Sequence, residues 1–392
     1  MFSTDYLGGL MHSTLRPTCP FFRLALNSAD GTRKAYVLVP VHVIRAFEGQ
    51  PNSPEVLGAQ YDADVDQAAL AADAPTFLWI DDSFGIPPIE VPSTFSGVIV
   101  EQSVVTNNNW AQDLLELTAR DITVLVHSHD PATLPTELAA SAAGIVVNPG
   151  AATNQPDGQI IWTLGHNLSA QALAGRMHIG PVHTVAAQSG AELAPGDAQC
   201  LRAMQLLSDS NTDFRDVAAV LNLDPVIAVR ALHMANSAAF GLSNRLDSLQ
   251  SALTFLGTGR INTLLLTSLI SSRQPDPDLL WFLLNRAETC RRLSGGGDAA
   301  YMAGLVSSLA DETGTDPLSI AEQAGASQYI QSAFSTAGSG LGAVLRAVKA
   351  YELGDIARIR YAGLDPEAVA SAYFESLPHT RIAITQLLAA GH

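Results

Sequence analysis

The chain has 392 residues, of which 47% are hydrophobic and 15% are charged, so it can bury the cores of about two domains and lacks the composition of a disordered protein. The formal net charge is −17, and residues 1–190 contain 7 Lys and Arg against 18 Asp and Glu. Because nucleic acids and anionic membranes are bound by basic surfaces, this balance argues against both as partners.

Three cysteines, Cys19, Cys200 and Cys290, lie far apart and form no C-x-x-C pair. Neither a disulfide framework nor a zinc knuckle is therefore predicted. Residues 1–16 lack the basic start and apolar run of a signal peptide, and no segment approaches the roughly 18 uninterrupted apolar residues of a membrane span. We therefore expect a cytoplasmic protein.

The first part of the chain, residues 1–188, alternates short apolar segments with helical ones. Strands are predicted at 21–27, 35–41, 76–81, 98–103, 123–128, 144–148, 159–164 and 177–180, and helices at 108–120, 134–142 and 167–176. Asp30-Gly31 predicts a turn between the first two strands. Apolar strands that alternate with helices are typical of a parallel sheet. Because about 190 residues is short for a complete eight-fold barrel, we expect a reduced or incomplete barrel.

The second part of the chain is predicted to be all-helical. Ala187–Gly196 is small, polar and contains Gly and Pro, which indicates a linker. Helices are then predicted at 199–208, 214–221, 225–241, 248–256, 259–271, 278–293, 299–313, 317–324, 327–337, 341–353, 366–377 and 379–390. Asp213 and Asp224 are candidate N-caps. The predicted domains are an α/β domain at 1–188 and an all-α domain at 196–392.

The most specific sequence segment is Asp224–Leu269, which reads DPVIAVRALHMANSAAFGLSNRLDSLQSALTFLGTGRINTLLLTSL. It resembles the core of the HDOD domain, a bacterial signalling module. The matching elements are Asp224-Pro225 at a helix start, Asn236-Ser237 near its end, Phe240-Gly241 after it, and Gly257 between the next two helices. These residues have a structural interpretation, as helix caps and positive-φ positions, and an alternative one as contacts for a partner protein.

HDOD domains resemble HD phosphohydrolases but lack their metal site. Metal hydrolases of that kind need several His and Asp side chains around one or two ions. From residue 190 onwards the sequence has only His233, His379 and His392, and none is followed by Asp. The helical part is therefore not expected to be a metal hydrolase.

The α/β part resembles a degenerate EAL domain, the domain that precedes HDOD in tandem EAL–HDOD signalling proteins. Tyr36–Val41 stands in the place of the EAL signature strand, with Val37 where the resemblance implies a Glu. Ile80 or Asp81 stands where a metal-binding Asn is implied, and Glu101 matches a strand carboxylate. The implied Asp-Asp pair is replaced by His127-Ser128-His129-Asp130, and the implied K-x-D element by Val146–Pro149.

EAL enzymes hydrolyse cyclic di-GMP with two divalent metals and a lysine that helps to position water. Lys34 and Lys349 are the only lysines in the sequence, so a lysine on a late barrel strand is absent. The vestigial candidates for metal ligation are Asp81, Glu101, His127, His129 and Asp130. The alternative for each is ordinary polarity: a solvated strand end for Asp81, a buried polar contact for Glu101, and loop polarity for His127–Asp130.

The sequence therefore predicts an α/β plus all-α protein, with a degenerate EAL domain like a reduced TIM barrel before an HDOD domain. We expect no catalytic residue, no metal and no cofactor, and a scaffold that binds other signalling proteins through the HDOD domain. Two alternatives stay open. One is a sensor that binds cyclic di-GMP in the degenerate EAL domain, and the other is a divergent metal-dependent phosphodiesterase.

Overall fold

The structure is a computed structural model that describes residues 21–28, 32–47, 74–81, 91, 95–107, 111–148, 159–163, 176–180, 195–207, 213–223, 227–228, 231–232, 234–235, 248–271, 277–323, 326–335 and 340–390. Its strands are β1 (Phe21–Asn27), β2 (Arg33–Pro40), β3 (Thr76–Ile80), β4 (Gly97–Glu101), β5 (Thr123–Ser128), β6 (Gly144–Val147), β7 (Gln159–Trp162) and β8 (Met177–Gly180). They form a closed barrel in chain order.

Strand direction defines the two ends of this barrel. β1 is antiparallel to β2 and to β8, whereas every other neighbouring pair is parallel. The amino end of β1 therefore lies at the same end of the barrel as the carboxyl ends of β2 to β8. We call this the carboxyl end of the barrel. In α/β barrels, functional side chains concentrate at this end.

Short helices connect the strands of the barrel. They are α1 (Val41–Phe47), α2 (Gln102–Asn107), α3 (Ala111–Ala119) and α4 (Thr136–Ser141). Leu114 and Leu117 of α3 are buried, while the intervening Leu115 is exposed, as expected of an amphipathic helix that covers a sheet.

The expectation of an incomplete barrel was wrong, because all eight strands are present and the ring is closed. Five of the strands have only four or five residues, and β5 and β6 are joined through a single α-helix of six residues. Short strands and short connections therefore fit a full ring into fewer residues than a typical eight-fold barrel uses. The predicted strand at 98–103 is also shorter than expected, since Gln102 and Ser103 begin α2.

The helical region begins at Pro195, and no strand occurs in the part of it that the structure describes. The helices whose bounds lie within its described residues are α5 (Pro195–Leu207), α6 (Phe214–Leu221), α7 (Leu249–Ser271), α8 (Pro277–Leu293), α9 (Asp298–Thr313), α10 (Pro317–Gln323), α11 (Gln328–Ser332), α12 (Gly340–Glu352), α13 (Ile356–Tyr361) and α14 (Pro366–Ala390). The Asp213 side chain caps α6 by accepting a hydrogen bond from the Arg215 amide, as predicted.

Helix α8 is the central helix of this region and packs against both α9 and α14. Gly304 of α9 allows the closest approach, because a Cβ atom there would lie 2.7 Å from the Cα atom of Ala287 in α8. Helix α14 continues through Pro378, where the sequence predicted a break between two helices. An interior proline removes one helical hydrogen bond, and α14 nevertheless stays continuous where it packs against α8.

A buried charged cluster joins α8, α9 and α12. The Nε–H of Arg286 donates one bifurcated hydrogen bond to the two carboxylate oxygens of Glu352, each 3.0 Å away, and Nη2 also contacts this carboxylate. Its Nη1 donates to Asp311 Oδ2 at 2.6 Å and to Ser307 Oγ at 3.1 Å. Burial by itself would raise the pKa of the Asp311 carboxyl, but the charges of Arg286 and Lys349 outweigh burial and hold that pKa below its usual value.

None of the helices in the described part of the chain combines the length and the apolarity needed to cross a bilayer.

Candidate functional site

The centre of the carboxyl end of the barrel is filled by aromatic side chains. Trp79 of β3 and Trp162 of β7 are fully buried, and their ring centroids lie 5.2 Å apart at an interplanar angle of 65°. These strands are not neighbours in the ring, so the two side chains meet across the barrel interior. His127 of β5 is buried beside them, with its ring 4.9 Å from that of Trp79. Side chains from alternate strands form such interior layers in eight-fold barrels.

Glu101 belongs to the same inward-facing set. It is the register partner of His127 in the β4–β5 ladder. Its Oε1 atom accepts a hydrogen bond of 3.1 Å from the indole Nε1–H of Trp79. A buried indole N–H needs an acceptor, and the carboxylate supplies it. The contact with Trp79 agrees with the interpretation of Glu101 as a buried polar contact and not with its interpretation as a metal ligand.

Asp81 follows β3 and is buried, so the interpretation as a solvated strand end was wrong. Its Oδ2 atom lies 2.6 Å from Nε2 of His42, which is also buried. His42 is the second residue of α1, directly after β2. The two side chains come from neighbouring strand ends that are 39 residues apart in the chain. A polar pair at this position satisfies two groups that would be costly to bury separately.

The predicted His127–Asp130 cluster is divided between the barrel interior and its edge. The rings of His127 and His129 lie 4.8 Å apart in a T-shaped arrangement. His129 Nδ1 lies 3.2 Å from Nδ2 of Asn148, the residue that follows β6. Asp130 is exposed, and its side chain caps a 3-10 helix by accepting a hydrogen bond from the Ala132 amide. Loop polarity therefore describes Asp130, but it was wrong for the buried His127.

The electrostatics of His127 follow from its burial. Desolvation, with a smaller contribution from the nearby His129, lowers the pKa of the imidazole from 6.5 to about 3. His127 is therefore neutral at physiological pH, and its ring can pack against Trp79 without the cost of a buried charge.

These side chains do not fit the two-metal centre that an EAL resemblance implies. Such a centre needs several free carboxylates at neighbouring strand ends. Here the Asp81 carboxylate contacts His42, and the Glu101 carboxylate contacts Trp79. Val37, where the resemblance implies a Glu, is completely buried in the apolar core. Within the residues that the structure describes, no group of three His, Cys, Asp or Glu side chains is arranged to hold a metal ion.

Sequence reasoning missed His42, Trp79, Trp162 and Asn148 as members of this cluster. Trp79 and Trp162 each stand in an apolar strand whose alternate residues face the barrel interior. This alternation is the sequence pattern that could have predicted their inward position. The contacts of His42 and Asn148 link segments distant in sequence, and no local pattern reports them.

Of the seven residues of the HDOD signature, the structure describes one. Gly257 interrupts α7 with φ 73° and ψ 166°, so this helix is two helical segments joined at the glycine, as the sequence predicted. The other six residues lie outside the described part of the chain, and their proposed roles stay predictions: Asp224, Pro225, Asn236, Ser237, Phe240 and Gly241.

Replacing Gly257 with alanine is expected to destabilise the protein by about 1–3 kcal/mol, the typical cost of forcing a side chain into a backbone region reserved for glycine. No atom lies within 4 Å of a Cβ built at Gly257, so the cost would be backbone strain and not a collision. Urea unfolding measures the change. Gly340→Ala is the matched control, because Gly340 begins α12 and also has open space around its Cβ position. Equal stability of the two variants would contradict the strain argument.

Comparisons with known proteins identify a domain in the first part of the helical region. Residues 196–309 match the family model of the HDOD domain. No curated protein matches the chain. Among solved structures, an HDOD domain protein of unknown function from Geobacter sulfurreducens is 18% identical, with a TM-score of 0.29 over 50% of this chain and 94% of that protein. A protein from Shewanella amazonensis, provisionally described as a metal-dependent phosphohydrolase, is 14% identical, with a TM-score of 0.28 over 50% and 92%. TM-scores at this level do not establish a common overall fold.

Proposed function

We propose that this protein, in which residues 196–309 form an HDOD domain, is a non-catalytic signalling regulator that binds other signalling proteins through its helical region. The non-catalytic part of the proposal rests on the contacts that the polar side chains make at the carboxyl end of the barrel. Glu101 supports Trp79, Asp81 pairs with His42, and His127 is packed as a neutral ring. Groups that a metal phosphodiesterase would hold ready for ions and substrate serve here to fill and stabilise the barrel.

We further propose that the barrel is a degenerate EAL domain at residues 1–188 and that the HDOD domain extends over 196–392. An eight-stranded closed barrel is compatible with the first part of this proposal. The second part is supported by Arg286, which lies inside the family match and is neutralised by Asp311 and Glu352, both beyond residue 309. A domain that ended at 309 would leave this guanidinium buried without a carboxylate. The cytoplasmic location stays a prediction of the sequence.

The contact surface for a partner can be tested with exposed apolar side chains. Leu223, after α6, and Phe255, on α7, are 71% and 40% exposed and lie within the HDOD match. Exposed apolar side chains of this kind are where interface energy concentrates when a partner covers them.

The experiment is cross-linking capture of a partner by the intact protein, followed by binding assays of the identified partner with purified variants. The double variant Leu223→Ser and Phe255→Ser is expected to weaken binding at least tenfold. Leu115→Ser, at a residue 59% exposed on the barrel helix α3, is the matched control and is expected to bind normally. Loss of binding with Leu115→Ser, and normal binding with the double variant, would contradict the proposal.

A further inference from the structure

Within the described residues, the pairing of β8 with β1 covers only the second half of β1. The ladder with β8 joins only Ala25–Asn27 to His178–Gly180. Beyond it, the hydroxyl of Tyr351, from α12 of the helical region, accepts a hydrogen bond of 3.1 Å from the Arg23 amide and donates one of 2.9 Å to the Phe21 carbonyl. The helical region thus makes two hydrogen bonds to backbone groups of β1 outside the described ladder with β8.

Aromatic packing reinforces this contact between the barrel and the helical region. The rings of Tyr351 and Phe22 are stacked, with centroids 4.6 Å apart. The buried guanidinium of Arg23 lies over the Tyr36 ring of β2, 3.5 Å from its centroid, and 5.6 Å from the centroid of Trp281 on α8. Side chains on both faces of β1 therefore contact the helical region, in addition to the pairing of β1 with β2.

Helix α1 makes a second contact of this kind. On one turn it carries His42, which contacts Asp81 at the carboxyl end of the barrel, and Arg45, whose Nη2 atom lies 2.9 Å from Glu367 Oε1 on α14. The Arg45 side chain is buried, so this ion pair is less screened than a surface pair. Helix α1, with only seven residues, therefore contacts both Asp81 at the carboxyl end of the barrel and Glu367 in the helical region.

The two contacts are adjacent in the structure. Phe21 is the register partner of Pro40, the last residue of β2, and α1 begins at the next residue, Val41. We propose that β1, the end of β2 and α1 form a coupling element, through which a change in α12 or α14 alters the carboxyl end of the barrel. By thermodynamic linkage, a change at the barrel end would affect the helical region equally. This inference goes beyond the proposed function and does not depend on the identity of any partner.

The test is hydrogen–deuterium exchange, followed by mass spectrometry, of the intact protein and of Tyr351→Phe. The variant keeps the stacked ring but removes both hydrogen bonds to β1. Exchange is expected to become about tenfold faster in peptides that cover β1, and also in peptides that cover α1 and the end of β3 at Ile80 and Asp81. Tyr361→Phe is the matched control, because the Tyr361 side chain is 93% exposed on α13, and its exchange pattern should equal that of the parent.

A second variant keeps the proposal testable if Tyr351→Phe fails to fold. Glu367→Gln removes the ion pair from the more exposed partner and leaves the backbone of α14 intact. It is expected to accelerate exchange in α1 and at the end of β3 by a few fold. Faster exchange confined to residues 21–24 in Tyr351→Phe, or no change at the end of β3 in Glu367→Gln, would overturn the proposal. Either result would leave the proposed partner binding unaffected.

Discussion

Replacing Arg286 with methionine is expected to lower the free energy of unfolding by about 3–5 kcal/mol, because the change leaves the buried carboxylate of Glu352 without its counter-ion. Methionine fills most of the arginine stem and can still pack against Phe282, whose ring centroid lies 4.3 Å from the guanidinium carbon. The loss of stability would therefore come from the missing positive charge and not from a cavity in the core. Chemical denaturation followed by circular dichroism measures it.

Two further variants separate the charge effect from general damage. Arg358→Met is the matched control, since the Arg358 side chain is 71% exposed and its ion pair with Asp355 should contribute less than about 1 kcal/mol. The double variant Arg286→Met and Glu352→Met removes both buried charges, while Asp311 keeps Lys349 at 2.9 Å. It is expected to be more stable than Arg286→Met alone. A double variant that is less stable than the single one would contradict the argument from the unpaired carboxylate.

The barrel is expected to become less stable as the pH is lowered, because His127 binds a proton more readily in the unfolded chain than in the folded one. Its folded-state pKa of about 3 lies below the ordinary value of 6.5, so between these two pH values the unfolded chain binds a proton that the folded one does not. Folding then loses stability as the pH falls, by about 1.4 kcal/mol per pH unit for one proton. The expected loss between pH 7 and pH 5 is about 2 kcal/mol. Well above pH 6.5 the His127 imidazole is neutral in both states and contributes no slope.

Thermal or urea unfolding of the parent and of His127→Asn at several pH values measures this contribution. The variant carries no ionisable group at this position, so its pH dependence should be flatter by that amount. Ser128→Ala, at the adjacent buried strand position, is the control and should keep the slope of the parent. If His127→Asn and the parent have the same slope, His127 is charged or solvated in the folded protein, and its role as a packed neutral ring is wrong.

Local sequence patterns predicted most of the elements, because their causes are local. The apolar segment Thr123–Ser128 forms β5, Asp213 caps α6, and Gly257 divides α7. Each depends on the residue itself and on neighbours within a few positions. HDOD-like elements in Asp224–Leu269 indicated the family that residues 196–309 match.

The contacts that close and fill the barrel could not be predicted in the same way. Ring closure depends on pairing between β1 and β8, which are more than 140 residues apart, and the Tyr351 contact with Phe21 spans 330 residues. Asp81 was expected to be a solvated strand end, but it is buried against His42, which follows a different strand. Tertiary contacts of this kind override local polarity, and one sequence by itself does not record them.

Calorimetric titration of the intact protein with cyclic di-GMP, with and without Mg²⁺ or Mn²⁺, tests the central proposal most directly when the nucleotide is analysed afterwards. A non-catalytic regulator whose barrel end is filled by Trp79, Trp162 and His127 should give no binding heat and should leave the nucleotide intact. Binding without turnover would favour the sensor alternative. Metal-dependent hydrolysis by this protein, lost on Glu101→Gln, would contradict the proposal and make the barrel a phosphodiesterase.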